Sequence, residues 1–160
     1  MIMELIKGFI CAFLGTLGFA ILFNVPKRFY IASGLTGSIG WLVDALIVRE
    51  TGLSAAVAAF FGAMVVVLIS RVLTVVMECP ITLFLASGVI PLVPGAGIYE
   101  TAYDLVTEQL NQAASVGFDA LTIVFGIVLG IIVIVSLPRQ IFRPDYWWQL
   151  RYFGRRAKNE

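Results

Sequence analysis

Four apolar runs, residues 5–23, 29–48, 53–77 and 118–137, are each long enough to cross a hydrocarbon core near 30 Å as helices rising about 1.5 Å per residue. In lipid, every backbone N–H and C=O must find its partner inside the protein, and a helix meets that demand within one segment. These runs therefore dictate an all-α, polytopic membrane protein. Composition agrees: 60% of the 160 residues are hydrophobic and 13% charged, against about a quarter charged in soluble domains. The first run is followed by no A-x-A-like cleavage site and is read as a retained helix, not a signal peptide.

A fifth segment breaks the pattern. "CPITLFLASGVIPLVPGAGIYETAYDL", residues 79–105, starts as a membrane helix and then meets Pro91, Pro94, Gly95 and Gly97. Residues 81–93 are too few to cross, whereas 81–98 nearly reach, so the segment is either a broken span or re-entrant. Charge decides for the span. With five crossings and the N-terminus outside, Lys27, Arg28, Arg71 and the basic tail fall inside, leaving Lys7 and Arg49 outside; four crossings would put Lys27, Arg28 and Arg71 on the wrong face. The expected architecture is a membrane domain, residues 1–137, with about five spans and a broken fourth, followed by an aromatic, basic cytoplasmic tail, residues 138–160. Between Tyr99 and Gln112 an amphipathic helix with an acidic rim is expected outside.

The chemistry on offer is narrow. There is no histidine, and Cys11 and Cys79 form neither a disulfide framework nor a metal site. With no phosphate-cradling loop and no nucleophile–base pair, the expectation is a non-enzyme without cofactor, metal or nucleic-acid partner, working in the bilayer on a small solute.

In the second span Gly34, Gly37 and Gly40 recur at helical spacing, with Asp44 four residues on. Glycines let another backbone approach. That face therefore points into protein, taking Asp44 with it as a proton or cation relay or a solute contact; the alternative is a wetted position at the membrane edge. The break frees backbone groups that discontinuous transporter helices offer to solutes. Asp44, Pro91, Pro94, Gly95, Ala96, Gly97 and the following Tyr99 are the candidate solute-binding residues. Counted from Phe29 and from Ile81, Asp44 and Gly95 share a depth of roughly 21–23 Å. The alternative is a kink that only serves packing. Arg71 reads as snorkelling to the headgroups, with a buried ion pair or gate as the sharper reading. Gly126 and Gly130 in the last span form a G-x-x-x-G packing face.

Two stretches, "LGFAILFNVPKRFYIASGLTGSIGWLV" (17–43) and "ASGVIPLVPGAGIYETAYDLV" (86–106), resemble the threonine/serine exporter family, in particular its small C-terminal-half module. The markers are Asn24, Pro26, Lys27 and Arg28 in the first loop and Pro91, Pro94 and Gly95 at the break. The resemblance implies an inner-membrane exporter of a small amino acid or small carboxylate, driven by an ion gradient. It also implies a larger companion membrane subunit corresponding to the other half. Gly34, Gly37, Gly40, Asp44 and the 94–97 break are then expected to face that partner or a second copy. Two other readings stay open: a self-sufficient homo-oligomeric channel or transporter, and a non-transporting membrane scaffold.

Overall fold

The structure, a computed structural model, describes residues 2–137. The tail expected along the cytoplasmic interface, 138–160, lies outside the described residues.

The described chain is helical throughout: α1 (Ile2–Leu22), a 3-10 turn (Lys27–Phe29), α2 (Tyr30–Thr51), α3 (Ala55–Met77), α4 (Thr82–Gly88), a second 3-10 turn (Ile90–Leu92), α5 (Gly95–Val106) and α6 (Leu110–Val135). Helices α1, α2, α3 and α6 are long and apolar enough to cross a membrane, and α4 with its 3-10 turn forms with α5 a further unit bent by 57°.

Local chemistry sets the ends. Asn24, with φ 56°, turns the chain after α1, and Pro26 leads into the 3-10 turn that starts α2. Gly52 takes the left-handed conformation, φ 63°, that stops α2. Glu78 does the same for α3 at φ 48°, its amide returning to the Thr74 carbonyl. The amphipathic stretch expected at 99–112 is divided: α5 starts early, at Gly95, and Glu108 at φ 62° separates it from α6.

With lipid as apolar as any side chain, tight packing rather than hydrophobic transfer must hold spans together, and small residues supply it. A Cβ on Gly126 would overlap the Ala56 carbonyl in the first turn of α3, and one on Gly130 the Phe60 carbonyl. At the other end the Arg71 guanidinium donates to the carbonyls of Val135 and Leu137, both at 2.6 Å. Arg71 is 8% exposed, so it caps the end of α6 instead of snorkelling. These contacts show that α3 and α6 run parallel. The chain between them therefore returns to the end at which α3 began, by way of α4, the 3-10 turn and α5.

Two apolar clusters mark opposite ends of the packed region. Ala20, Val25, Phe29, Cys79 and Phe84 join the α1–α2 turn to the α3–α4 turn, with Phe29 and Phe84 edge to face at 5.7 Å. Ala59, Ala63, Val66, Leu92 and Ile127 hold the break against α3 and α6. Beyond this cluster the first half of α6, residues 110–125, runs past the start of α3 by roughly 24 Å. Helix α5 folds back along it, Gly97 facing Ala120 and Thr101 facing Gly117, to make a hairpin.

Candidate solute site at the helix break

The glycine face of α2 is filled by the chain's own helices. A Cβ on Gly34 would come within 2.6 Å of the Phe13 ring of α1, one on Gly37 would overlap the Thr16 side chain, and one on Gly40 would overlap Val66 of α3. Gly34, Gly37 and Gly40 are buried, so they do not face a partner; α1 and α3 take the approach their missing side chains allow.

The break seats in this face. On α4, a Cβ at Gly88 would lie 3.1 Å from Thr36 and from Val66, with the Gly37 amide nitrogen at 3.7 Å. One turn on, Leu92 lies 3.0 Å and Asp44 3.2 Å from the Cβ position of Gly62, where the Gly40 carbonyl also closes to 3.0 Å. Gly62 is thus the point at which α2, α3 and the broken helix meet, and it places Asp44 beside the break. Asp44 is half-buried and has no basic partner among the described residues.

Pro91 and Pro94 explain the interruption. Pro91 has no N–H to return to the Ser87 carbonyl four residues back. Pro94, at φ −75° and ψ 66°, makes an inverse γ-turn closed by the Gly95 amide on the Val93 carbonyl at 2.8 Å. The carbonyls of Ser87 and Gly88 lose the i+4 donors of an unbroken helix, Pro91 having no N–H and the Leu92 amide turning to the Val89 carbonyl, while Ala96 and Gly97 lie in the first turn of α5. Ser87 and Gly88 are buried, so their carbonyls are freed inside the bundle.

The expected site residues divide into two groups. Asp44 and Pro91 sit at the packed end of the break, and Ile90 and Pro91 with Trp41, Gly8, Cys11, Ala12 and Gly15 line a cavity of about 260 Å³. Pro94, Gly95, Ala96, Gly97 and Tyr99 lead away from it. Gly95 faces open space, Gly97 packs on Ala120, and Tyr99 is exposed and stacked on Tyr103 at 6.4 Å. The reason is the 57° bend, which swings α5 onto α6 and away from α2.

Six hydroxyls buried in the helix interfaces were not singled out by sequence: Thr16, Ser33, Thr36, Ser38, Ser70 and Ser87, each at 0% exposure. Five donate back to a carbonyl three or four residues earlier in their own helix. The Ser33 hydroxyl has no partner among the described residues. For Ser33, Thr36 and Ser38 the signal lay in the run of small polar residues around the glycines of α2, which periodicity for apolar faces ignores; Thr16, Ser70 and Ser87 stand in α1, α3 and α4. Among the described residues no group of three or more His, Cys, Asp or Glu side chains is placed to hold a metal. Cys79, in the turn between α3 and α4, is a free thiol pushed up by burial, with the Arg28 charge opposing.

These features define a multi-pass α-helical membrane protein organised around a broken helix. The family model "Threonine/Serine exporter, ThrE" matches residues 8–137, most of the chain and all of the described helices except the first turns of α1. The chain belongs to the threonine/serine exporter family. Comparison with curated proteins and with solved structures returned no match.

Proposed function

We propose that this chain is one subunit of a two-chain exporter moving threonine, serine or a small carboxylate across the inner membrane, with a larger companion supplying the other half of the path. The seating of the broken helix carries this reading: Asp44 and Leu92 converge on Gly62. An ionisable group in a span is expensive unless it faces protein or a wetted cavity, where it serves the transported species. Carbonyls freed at a helix break accept from a cationic group, such as the ammonium of an amino acid, and Asp44 supplies the compensating charge. A cavity of about 260 Å³ opens on the α1 side of Pro91, below the ~300–1,000 Å³ of drug-sized pockets, and Asp44 is not in its wall. Rocking at the Val93–Pro94 bend would open the site to alternate sides.

The test is flux of labelled threonine, serine and a small dicarboxylate in vesicles holding this chain and its companion. Asp44→Asn keeps the shape and removes the charge. It should lower flux roughly 10- to 100-fold, the equivalent of losing one charged hydrogen bond of about 1.5–3 kcal/mol, while the two chains still co-purify. Undiminished flux would remove Asp44 from the site. Flux by this chain alone as a closed oligomer would replace the two-chain reading, and no flux under any condition would leave a scaffold.

A further inference from the structure

One face of α2 is laid along the broken helix. Phe29 at its foot, then Ser33, Thr36, Gly40 and Asp44 recur at steps of three and four, the spacing that keeps residues on one side of a helix. All but Ser33 have partners that fix where this face points. Phe29 meets Phe84 of α4 edge to face, Thr36 lies against Gly88 of α4, Gly40 takes Val66 of α3, and Asp44 meets Leu92 over Gly62. Ser33 stands between the first two, so it faces α4 as well.

Ser33 is the misfit of this face. It is 0% exposed, and its hydroxyl has no partner among the described residues. A hydroxyl buried in this way costs stability, and alanine would fill the same position without that cost. Nor do the hydroxyls nearby tie the helices together: Thr36 donates to the Ala32 carbonyl at 2.8 Å, Ser70 to Val66 at 2.7 Å and Ser87 to Leu83 at 3.2 Å, each within its own helix. Apolar side chains close the Ser33 layer on both sides. Toward the end carrying Lys27 and Arg28, Phe29 and Phe84 are buried, and the Arg28 guanidinium rests over the Phe29 ring at 4.4 Å. Toward Asp44, Val66 is wedged between two helices: a Cβ on Gly40 would overlap one of its methyls, and a Cβ on Gly88 would lie 3.1 Å from the other.

We propose that Ser33 is a solute contact on the Lys27–Arg28 side of the path, roughly 16 Å from Asp44 along α2, and that the Phe29–Phe84 pair is the seal that closes the path there. The inference rests on the exporter reading and extends its site along the α2–α4 seam. Rocking of the broken helix draws α4 from α2, which parts Phe84 from Phe29 and Gly88 from Val66 together. The Ser33 hydroxyl then meets water or solute.

Ser33→Ala, in vesicles holding this chain and its companion, should lower the flux of whichever labelled solute the wild type moves about tenfold, the worth of one hydrogen bond. Its midpoint of unfolding should stay the same or rise. A second measurement needs no flux. Cysteines replacing Ser33 or Ser38, the latter equally buried but on the opposite side of α2, meet a small water-soluble methanethiosulfonate in native membranes, in a full-length background lacking Cys11 and Cys79. Ser33→Cys should be modified about tenfold faster than Ser38→Cys, because only the seam opens locally. Adding Phe84→Leu, which takes the ring from the seal, should speed the first reaction and leave the second unchanged. Equal rates for the two cysteine variants, a rise in both with Phe84→Leu, full flux in Ser33→Ala, or flux lost together with stability would each overturn the proposal. If any of these accompanies normal wild-type flux, the exporter stands without this contact. Selective modification of Ser33→Cys with no wild-type flux would keep the seal and discard the exporter.

Discussion

A methyl group on Gly37 would overlap the Thr16 side chain, whereas one on Gly95 would meet nothing within 4 Å. Thr16 cannot easily give way, because its hydroxyl is tied to the Ala12 carbonyl at 2.7 Å and it is fully buried. Gly37→Val should therefore force α1 from α2 and cost about 1–3 kcal/mol, as overpacking does. Gly95→Ala should leave stability unchanged or raise it by about 0.4–1 kcal/mol through the unfolded chain. Unfolding in mixed detergent micelles measures both, and equal losses would contradict the packing described for α2. The glycine stripe itself was legible in the sequence, since helical spacing alone puts positions 34, 37 and 40 on one face. Its partners were not. That Phe13, Thr16 and Val66 fill it depends on the register of three helices, which no single helix encodes. Asp44 was legible for the same reason as the glycines, while its meeting with Leu92 over Gly62 emerges only once α3 is in place.

At the level of elements, the long spans announced themselves by length and apolarity, and the broken segment by its prolines. The boundary between α5 and α6 did not, because it rests on Glu108 in a left-handed conformation that glutamate rarely adopts and no sequence pattern marks. Arg71 shows a second limit. Near the end of an apolar helix an arginine reads as snorkelling, but here the last turn of α6 offers carbonyls without intrahelical donors, and capping them satisfies charge and backbone together. Arg71→Leu strands those carbonyls and should destabilise the bundle by about 1.5–3 kcal/mol, the worth of a charged hydrogen bond. Arg71→Lys, with one ammonium in place of a two-pronged guanidinium, should recover only part of the loss. Val76→Leu, on an exposed position of the same helix, is the control. A loss no larger in Arg71→Leu than in this control would show that α6 holds its end without the cap.

For the whole molecule, the parallel course of α3 and α6 carries the strongest consequence. With the broken helix read as one crossing between two parallel spans, we expect an odd number of crossings, with the start of α1 and the end of α6 on opposite sides of the membrane. The two ends of the bundle differ in charge. Lys27 and Arg28 follow α1, and Arg71 lies beside the last turn of α6, all at one end; the hairpin with Glu100, Glu108 and Asp119 extends from the other. The positive-inside rule counts basic residues near span ends, and by it we expect the Lys27–Arg28 end to face the cytoplasm. Single-cysteine variants in a background lacking Cys11 and Cys79 test this with a membrane-impermeant maleimide applied to intact cells. A cysteine replacing Glu108 should react from outside, because this residue sits exposed in the turn at the tip of the hairpin. A cysteine replacing Lys27 should react only after the membrane is opened. Labelling of both from the same side would mean an even number of crossings, incompatible with α3 and α6 running parallel. Labelling of each from the side opposite to that expected would preserve the fold and invert the exporter, turning the acidic hairpin toward the cytoplasm.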